Sequence, residues 1–323
     1  MEVGGPVARV RAGQGPSSVA LLDLDRDGRL DLLVANGTNG DMSFLLGNGA
    51  GGFAPAAGSP RRAGIMPSDI AIADFDRNGQ ADLAIANHET SHVTVLLAGS
   101  GFDSAPGSPF DTGSRPHVHS VAAGDLDGDG AVDLVTESVD TDSVAVLFGD
   151  GRGGFETTRH FGAGPRPYFL LRVGDLDGDG RPEVVAPNSG GSSLTVLTAT
   201  GRGGLFPAPG SPIPVGRGPH SVAIGDLNGD GRSDLVVLHF EENRVSDRVS
   251  VFLAQGGHTF RPASGSPFPA GRDPTNLALG DVDGDGVLDL AASNFSSDDV
   301  TLLLSDRQAR PGALVRRVPV GRN

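Results

Sequence analysis

Short apolar segments alternate with polar, glycine-rich stretches along the whole chain. The clearest segments are about six residues long, with side chains that alternate in type along the segment. Examples are VTVLLA at 93–98, VAVLFG at 144–149 and VSVFLA at 249–254. Segments this short and this rich in β-branched residues favour strands over helices. No helical periodicity appears between them. The pattern therefore predicts an all-β chain built from many short strands.

The segments follow one another in a fixed order. A G-x-x-P element leads into a first apolar run, an acidic loop and a second run come next, and the alternating third run follows. A proline-containing segment such as GSPFPAG at 265–271 closes the unit. Because proline cannot donate to a central ladder, this last segment belongs at a sheet edge. The pattern of each unit therefore predicts four short strands, and the outermost strand is interrupted by proline.

The unit recurs six times. Its acidic loops start at intervals of 51, 51, 50, 51 and 55 residues, at Asp23, Asp74, Asp125, Asp175, Asp226 and Asp281. A period of this size indicates a solenoid, a propeller or an array. One four-stranded sheet cannot bury both of its faces, and radial stacking of copies solves this. The predicted fold is an all-β β-propeller with six four-stranded blades.

We predict one propeller domain over residues 1–323, with blades at approximately 13–63, 64–112, 113–161, 162–215, 216–270 and 271–323. The segments VARVRAG at 7–13 and LVRRVPVG at 314–321 both look like fourth strands. One of them can complete the last blade, and the other is then surplus. Seven blades, or excision from a longer protein, therefore stay open as alternatives.

Composition narrows the classes of function. Glycine and proline number 50 and 23, which fits tight turns between strands. There is no cysteine, which excludes disulfides, zinc–thiolate sites and thiol nucleophiles. A net charge of −15 argues against nucleic acid as a partner. No run approaches the roughly 18 apolar residues of a membrane span, so we predict no membrane insertion. The N-terminal MEVGGPVARV lacks the pattern of a signal peptide.

The acidic loops carry the strongest chemical signal. Alternate residues of a tight loop can turn their oxygens towards one point, and several charged oxygens around a flexible loop suit Ca²⁺, with Mg²⁺ as the second choice. Glycine at position 6 permits the sharp turn. Position 12 of the first loop is Val34, so this is not the helix–loop–helix calcium site. Positions 1, 3, 5, 7 (through its carbonyl) and 9 give the predicted ligands: Asp23, Asp25, Asp27, Arg29, Asp31; Asp74, Asp76, Asn78, Gln80, Asp82; Asp125, Asp127, Asp129, Ala131, Asp133; Asp175, Asp177, Asp179, Arg181, Glu183; Asp226, Asn228, Asp230, Arg232, Asp234; Asp281, Asp283, Asp285, Val287, Asp289.

Charge balance supports up to six bound Ca²⁺ ions. The loops hold 22 of the 40 acidic residues, and six divalent ions would bring the net charge from −15 to −3. Asn78 and Asn228 leave the second and fifth loops with three carboxylates, so we expect weaker binding there. The alternative is that these loops are only solvated Asp-Gly turns. An acidic residue at position 9 in all six copies favours the metal interpretation.

These motifs resemble the FG-GAP/VCBS-type repeat of integrin α-subunit propellers and of many bacterial secreted proteins. The resemblance rests on SVAIGDLNGDGRSDLVV at 221–237, VTVLL at 93–97 and GNGAGGF at 47–53, and it extends over about residues 13–305 in six copies. It implies a β-propeller with calcium in the loops between first and second strands. Many members have seven blades, so six copies depart from the commonest form. The resemblance does not fix a ligand.

The residues that lead into the first strands share one phase of the repeat. In a propeller they surround one mouth of the central channel, where a ligand site is plausible. The candidate ligand-binding residues are His117, His119, Tyr168, His220 and Asn276. The three histidines could also bind a transition metal. The simpler alternative is that these are polar loop residues that face water.

We predict a non-catalytic binding or adhesion module for a protein or glycan ligand, because no G-x-S-x-G elbow is present and most carboxylates are committed to metal. One alternative is a propeller lectin, although the chain has a single tyrosine and no tryptophan to form a sugar platform. The other is a hydrolase or lyase that uses His117, His119 or His220. Because such calcium loops suit compartments with millimolar Ca²⁺, we expect the protein at the cell surface or outside the cell.

Overall fold

The computed structural model describes residues 10–201, 203–240, 246–305, 311 and 314–319. Secondary structure in this part of the chain is β, apart from two single-turn 3₁₀ helices at Ala98–Ser100 and Val139–Thr141. The chain forms two compact units. The first contains the chain up to Ala123, Gly130–Ser138 and Ala145–His160, and the second contains Gly124–Asp129, Val139–Val144 and the chain from Phe161 onward.

The first unit contains two complete antiparallel sheets and most of a third. The first sheet consists of β1 Pro16–Leu22, β2 Asp31–Asn36, β3 Asp41–Gly47, β4 Phe53–Pro55 and β5 Arg61–Arg62. The second consists of β6 Pro67–Ala73, β7 Asp82–Asn87, β8 His92–Leu97, β9 Asp103–Ser104 and β10 Phe110–Asp111. The third consists of β11 Ala122–Gly124, β12 Asp133–Ser138, β13 Ser143–Gly149 and β14 Phe155–Gly162.

The second unit contains the other three sheets. The fourth sheet consists of β15 Arg172–Gly174, β16 Glu183–Asn188, β17 Ser193–Ala199, β18 Leu205–Pro207 and β19 Ile213–Pro214. The fifth consists of β20 Pro219–Gly225, β21 Asp234–His239, β22 Arg248–Gly256, β23 Thr259–Pro262 and β24 Phe268–Pro269. The sixth consists of β25 Pro274–Gly280, β26 Asp289–Asn294, β27 Asp299–Leu304 and β28 Leu314–Pro319.

In every sheet the first three strands are neighbours in chain order, as expected for a meander. In four sheets the outermost strand is split into two short pieces, both paired with the third strand. A serine in the intervening GSP turn accepts a hydrogen bond from the third strand at 2.9–3.0 Å, and these serines are Ser59, Ser108, Ser211 and Ser266. The predicted interruption by proline is thus present in four sheets, whereas β14 and β28 are continuous.

Apolar side chains pack in layers that join consecutive sheets within each unit. One layer combines Met42 and Phe44 of the first sheet with Leu83 and Ile85 of the second. Another combines Val236 and Leu253 of the fifth sheet with Leu290 and Leu303 of the sixth. Sheets therefore pack face to face on their neighbours, which solves the burial problem of a single four-stranded repeat.

Six four-stranded blades define the fold as a six-bladed β-propeller, so the predicted fold class is confirmed. The segment at 314–319 forms the fourth strand of the sixth sheet, as predicted, and residues 320–321 lie outside the described residues. Residues 7–9 of the other proposed fourth strand, at 7–13, also lie outside them, and its residues 10–13 form no strand. Among the described residues, no helix has the length and apolar character needed to cross a membrane.

Candidate functional site

The acidic loops join the first and second strands of each sheet and are closed by their own aspartates. In the first loop, Asp23 accepts hydrogen bonds from the backbone N–H of Asp27 at 3.1 Å and of Gly28 at 3.0 Å. Asp25 accepts from the same Asp27 N–H at 3.2 Å. Gly28 has φ of 84°, a left-handed conformation that glycine adopts without strain. The loop therefore turns the side chains of positions 1 and 3 towards one point.

Carboxylate oxygens converge in these loops. One oxygen each from Asp23, Asp25 and Asp27 lie within 4.8 Å of one another, and the same holds for Asp74, Asp76 and Asp82. Like charges at this separation repel one another unless a cation lies among them. These oxygens could hold a hard divalent ion.

The residue at position 9 is buried and connects three parts of its sheet. In the second loop Asp82 Oδ2 accepts from the N–H of Phe75 at 2.9 Å, and Oδ1 accepts from the N–H of Ala98 at 2.8 Å. The same two bonds form in three other loops, at Asp31, Asp234 and Asp289. Position 9 thus connects the acidic loop and the start of the second strand with the end of the third strand.

Burial favours the protonated form of two position 9 carboxyls, those of Asp82 and Asp234. Burial raises the pKa of Asp82, although N–H groups of Ala98 and Phe75 oppose the shift. Burial also raises the pKa of Asp234 to about 6, and the nearby Asp230 and Asp226 add to this effect. A positive charge in the loop would favour the ionised forms of both carboxyls and so lower their pKa values again.

The fourth loop differs from the others. Its position 9 residue is Glu183, whose Oε2 accepts from Leu176 N–H at 2.8 Å. His258, from the turn between β22 and β23, points into the loop, with Nε2 3.5 Å from Glu183 Oε1 and 3.6 Å from Asp177 Oδ2. The His258 side chain is only 6% exposed, and Nε2 has no hydrogen-bond partner among the described residues. His258 Nε2 therefore lies within ion-pair distance of two carboxylates of the fourth loop.

Two of the predicted ligand-site residues lie in a histidine cluster in the first unit. His117 and His119 precede β11, and the third member is His88, which follows β7. His88 Nε2 lies 2.9 Å from His119 Nε2 and 3.5 Å from His117 Nδ1. Glu137, on β12, accepts from His119 Nδ1 at 2.9 Å. The cluster therefore has a carboxylate behind one of its imidazoles.

Two others lie together in the second unit. Tyr168 and His220 border a cleft of about 620 Å³, whose other lining residues are Arg166, Ser189, Gly190, Gly191, Ser192, Arg217, Gly218 and Phe240. The ring of His220 stacks on Phe169 with centroids 4.0 Å apart. The ring centroids of Tyr168 and Phe240 lie 5.8 and 5.1 Å from that of His220. Asn276 is on β25, where its N–H donates to Ser293, and it does not line this cleft.

A model of the FG-GAP-like repeat matches residues 23–85, 74–136, 175–237 and 240–292, more than half of the chain. The chain belongs to the FG-GAP-like repeat family. The repeat resemblance predicted from the sequence is thus confirmed. No curated protein matches this FG-GAP chain.

Solved structures share the propeller fold of this FG-GAP protein at low sequence identity. A periplasmic gluconolactonase from Pseudomonas aeruginosa has a TM-score of 0.67 and 21% identity, over 98% of this chain and 89% of that one. A functionally unknown protein from Desulfotomaculum acetoxidans has a TM-score of 0.64 and 12% identity, over 97% of this chain and 92% of that one. Virginiamycin B lyase from Staphylococcus aureus has a TM-score of 0.57 and 12% identity, over 96% of this chain and 86% of that one. Such likeness concerns the fold alone.

The sequence analysis missed His88, Glu137 and His258. A signal for two of them exists in the FG-GAP repeat itself. His88 takes the place of Gly37 in the first repeat, directly after the second strand. Glu137 is a charged residue in a second strand whose equivalent positions hold alanine, proline, leucine or serine. Comparing equivalent positions of all six repeats would have marked both residues as exceptions.

Proposed function

We propose that this FG-GAP protein is a calcium-binding β-propeller that acts as a non-catalytic binding module, with its ligand in the cleft of the second unit. Calcium would occupy the loops between first and second strands, in up to six copies. The convergence of carboxylate oxygens within these loops carries the proposal. The family membership of the chain supports it.

The donor atoms of the loops fit calcium, because charged oxygens are the ligands that Ca²⁺ prefers. In the second loop one oxygen each from Asp74, Asp76 and Asp82 lie within 4.8 Å of one another, so one ion could contact all three. Bound calcium would supply positive charge, while the chain supplies the turn and the position 9 link to the strands.

Calcium affinity is expected to weaken as the pH falls from about 7.5 to about 5, because protons compete for the same oxygens. Burial raises the pKa of Asp234 from 3.8 to about 6. In calcium-free protein the ionised form of this carboxyl is disfavoured by the fold, so its contribution to stability is lost as the pH rises from about 4 to about 6. Calcium offsets that loss by stabilising the ionised form. Calorimetric titration of calcium into depleted protein at the two pH values measures the effect, and equal affinities would contradict it.

The same proposal places the protein at the cell surface or outside the cell. Open carboxylate loops of extracellular modules bind calcium with dissociation constants of about 10⁻⁴–10⁻³ M. Loops of that affinity are filled only where calcium is millimolar. A calorimetric dissociation constant below about 10⁻⁷ M would instead fit a site that fills inside cells, and would contradict this placement.

The cleft of the second unit suits a ligand with both a flat surface and negative charge. Tyr168, His220 and Phe240 line the cleft with aromatic rings, and Arg166 lies 5.7 Å from the centre of the Tyr168 ring. Arg217 borders the same cleft, and both arginines are exposed. Arginine pairs with carboxylates in two parallel hydrogen bonds, while sugar rings stack on aromatic faces. An acidic glycan combines the two features.

Binding of an acidic sugar is expected to change the fluorescence of Tyr168. This residue is the single tyrosine and the chain has no tryptophan, so near-ultraviolet excitation reports on the cleft alone. A uronic acid oligosaccharide should change the emission, and its neutral counterpart should do so at least about tenfold more weakly, since an arginine–carboxylate bond contributes about 1.5–3 kcal/mol.

Arg217→Ala is expected to reduce the affinity for the acidic sugar by about tenfold or more. Arg152→Ala is the matched control, because Arg152 is exposed and lies in the first unit. A response of Tyr168 that is equal for acidic and neutral sugars, or unchanged by Arg217→Ala, would contradict the charged part of the site. No response to any sugar would contradict the glycan assignment.

A further inference from the structure

We propose that His88, His117 and His119 bind a divalent transition-metal ion, for which Zn²⁺ is the best match, and that Glu137 orients His119 for this purpose. The site is separate from the calcium loops and uses imidazole nitrogens, which suit zinc and its neighbours rather than calcium. All four residues lie in the first unit.

The spacing of the three nitrogens fits one metal ion. Zinc–nitrogen bonds are about 2.0–2.1 Å long, so two nitrogens on a tetrahedral zinc ion are about 3.3 Å apart. His88 Nε2 lies 2.9 Å from His119 Nε2 and 3.5 Å from His117 Nδ1, on either side of that value. One nitrogen from each of the three side chains lies within 4.8 Å of the other two, so a single ion could reach all three after the side chains adjust.

Glu137 determines which nitrogen of His119 faces the cluster. Its carboxylate only accepts hydrogen bonds, so the 2.9 Å contact requires the proton on His119 Nδ1 and leaves the Nε2 lone pair towards His88. Glu137 is 1% exposed and also accepts from His119 N–H at 2.6 Å and from the Ser120 hydroxyl at 2.9 Å. A carboxylate behind a metal-binding imidazole fixes its orientation in just this manner.

The other two imidazoles fit the same role. His88 is half-buried, and its Nε2 faces both of the other imidazoles. His117 has φ of 115°, a conformation that a non-glycine residue adopts at some cost and that is often found at functional sites. His117 is exposed whereas His119 is buried, so the cluster is open on one side. Three protein ligands with an open fourth position resemble catalytic rather than structural zinc sites.

Without a metal ion, the cluster is held by a proton. In neutral His119 with its proton on Nδ1, Nε2 can only accept, so His88 Nε2–H donates across the 2.9 Å contact. When a metal ion binds, this proton would move to Nδ1 of His88, so that His88 stays neutral and its Nε2 lone pair can bind the metal together with those of the other two rings. A measurement of bound metal therefore distinguishes the metal-bound cluster from the metal-free one.

The test is to dialyse the full chain against micromolar Zn²⁺ with millimolar Ca²⁺ present to fill the carboxylate loops, and then to measure bound zinc. Co²⁺ in place of Zn²⁺ adds a visible absorption spectrum that reports nitrogen coordination. Wild-type protein is expected to retain one zinc ion per chain. His88→Gln and His117→Gln are expected to bind at least tenfold more weakly, and Glu137→Gln about 10–100-fold more weakly.

His160→Gln is the matched control, because His160 is exposed on β14 in the same unit. It should bind zinc like the wild type. His117→Gln keeps the test decisive even if a buried variant fails to fold, since His117 is exposed. Wild-type protein that retains no zinc or cobalt, or His117→Gln protein that retains as much as the wild type, would overturn the proposal.

Discussion

Removing calcium is expected to lower the melting temperature of this protein by about 10–20 °C. A site filled at about 100 times its dissociation constant contributes about 2.7 kcal/mol to the folded state. Two or three such sites contribute about 5–8 kcal/mol, which is comparable with the whole free energy of unfolding of many domains. The carboxylates that converge at Asp23 and Asp74 would meanwhile repel one another in the empty loops. Thermal unfolding followed by circular dichroism, with excess calcium and with chelator, measures the difference.

Magnesium provides the control for this experiment. It carries the same charge but demands stricter octahedral geometry and keeps its water, so it should restore less of the melting temperature than calcium at equal concentration. Asp76→Ala removes a position 3 ligand from the second loop and should reduce the calcium-dependent part of the shift. A melting temperature that is the same with calcium and with chelator would contradict a stabilising role of calcium in the loops.

Asp82→Ala is expected to destabilise the protein by about 2–6 kcal/mol, with or without calcium. The side chain is fully buried, and its two oxygens accept the N–H groups of Phe75 and Ala98. Each donor that loses its partner in the interior costs about 1–3 kcal/mol. Asp82→Asn should cost less, because its amide keeps one acceptor oxygen. Chemical denaturation at neutral pH in chelator measures this cost apart from any metal.

Asp76→Ala is the matched variant, since it changes the same loop at a half-buried position. In chelator it should be close to neutral or even stabilising, because it removes one of the repelling charges. The two variants thus separate the position 9 link from metal binding. If Asp82→Ala destabilised the protein only in calcium, the hydrogen bonds of Asp82 would contribute little of their own.

Much of the fold could be predicted because the same pattern of apolar runs, acidic loop and proline segment occurs six times in the sequence. The spacing of the acidic loops gave the number of sheets, and proline placed the outermost strand at an edge. The continuous strands β14 and β28 show the limit of that rule, since the predicted proline interruption is absent from both. The burial of position 9 was not predicted, because aspartates such as Asp31, Asp82 and Asp234 are rarely fully buried and the sequence does not show the N–H groups that they accept.

The histidine sites could not be predicted in the same way. His88 belongs to the second repeat and His119 to the third, so their contact depends on how two sheets pack. His258 likewise reaches from the fifth sheet into the loop of the fourth. Periodicity shows which residues are equivalent, but it does not show which residues of neighbouring repeats touch. Among the predicted ligand-site residues, His117 and His119 came together for this reason with His88, a residue that the sequence analysis had not selected.

The position 9 hydrogen bonds have a consequence for how such a chain can evolve. The partners of Asp31 are Leu24 and Gly47, and those of Asp289 are Val282 and Ser305, so each set lies within one repeat. A tandem duplication of about 50 codons would therefore copy a loop together with the position 9 bonds that connect it to its own strands. Each new copy could fold its own loop at once, before any adjustment to its neighbours, and chains could lengthen or shorten by whole blades.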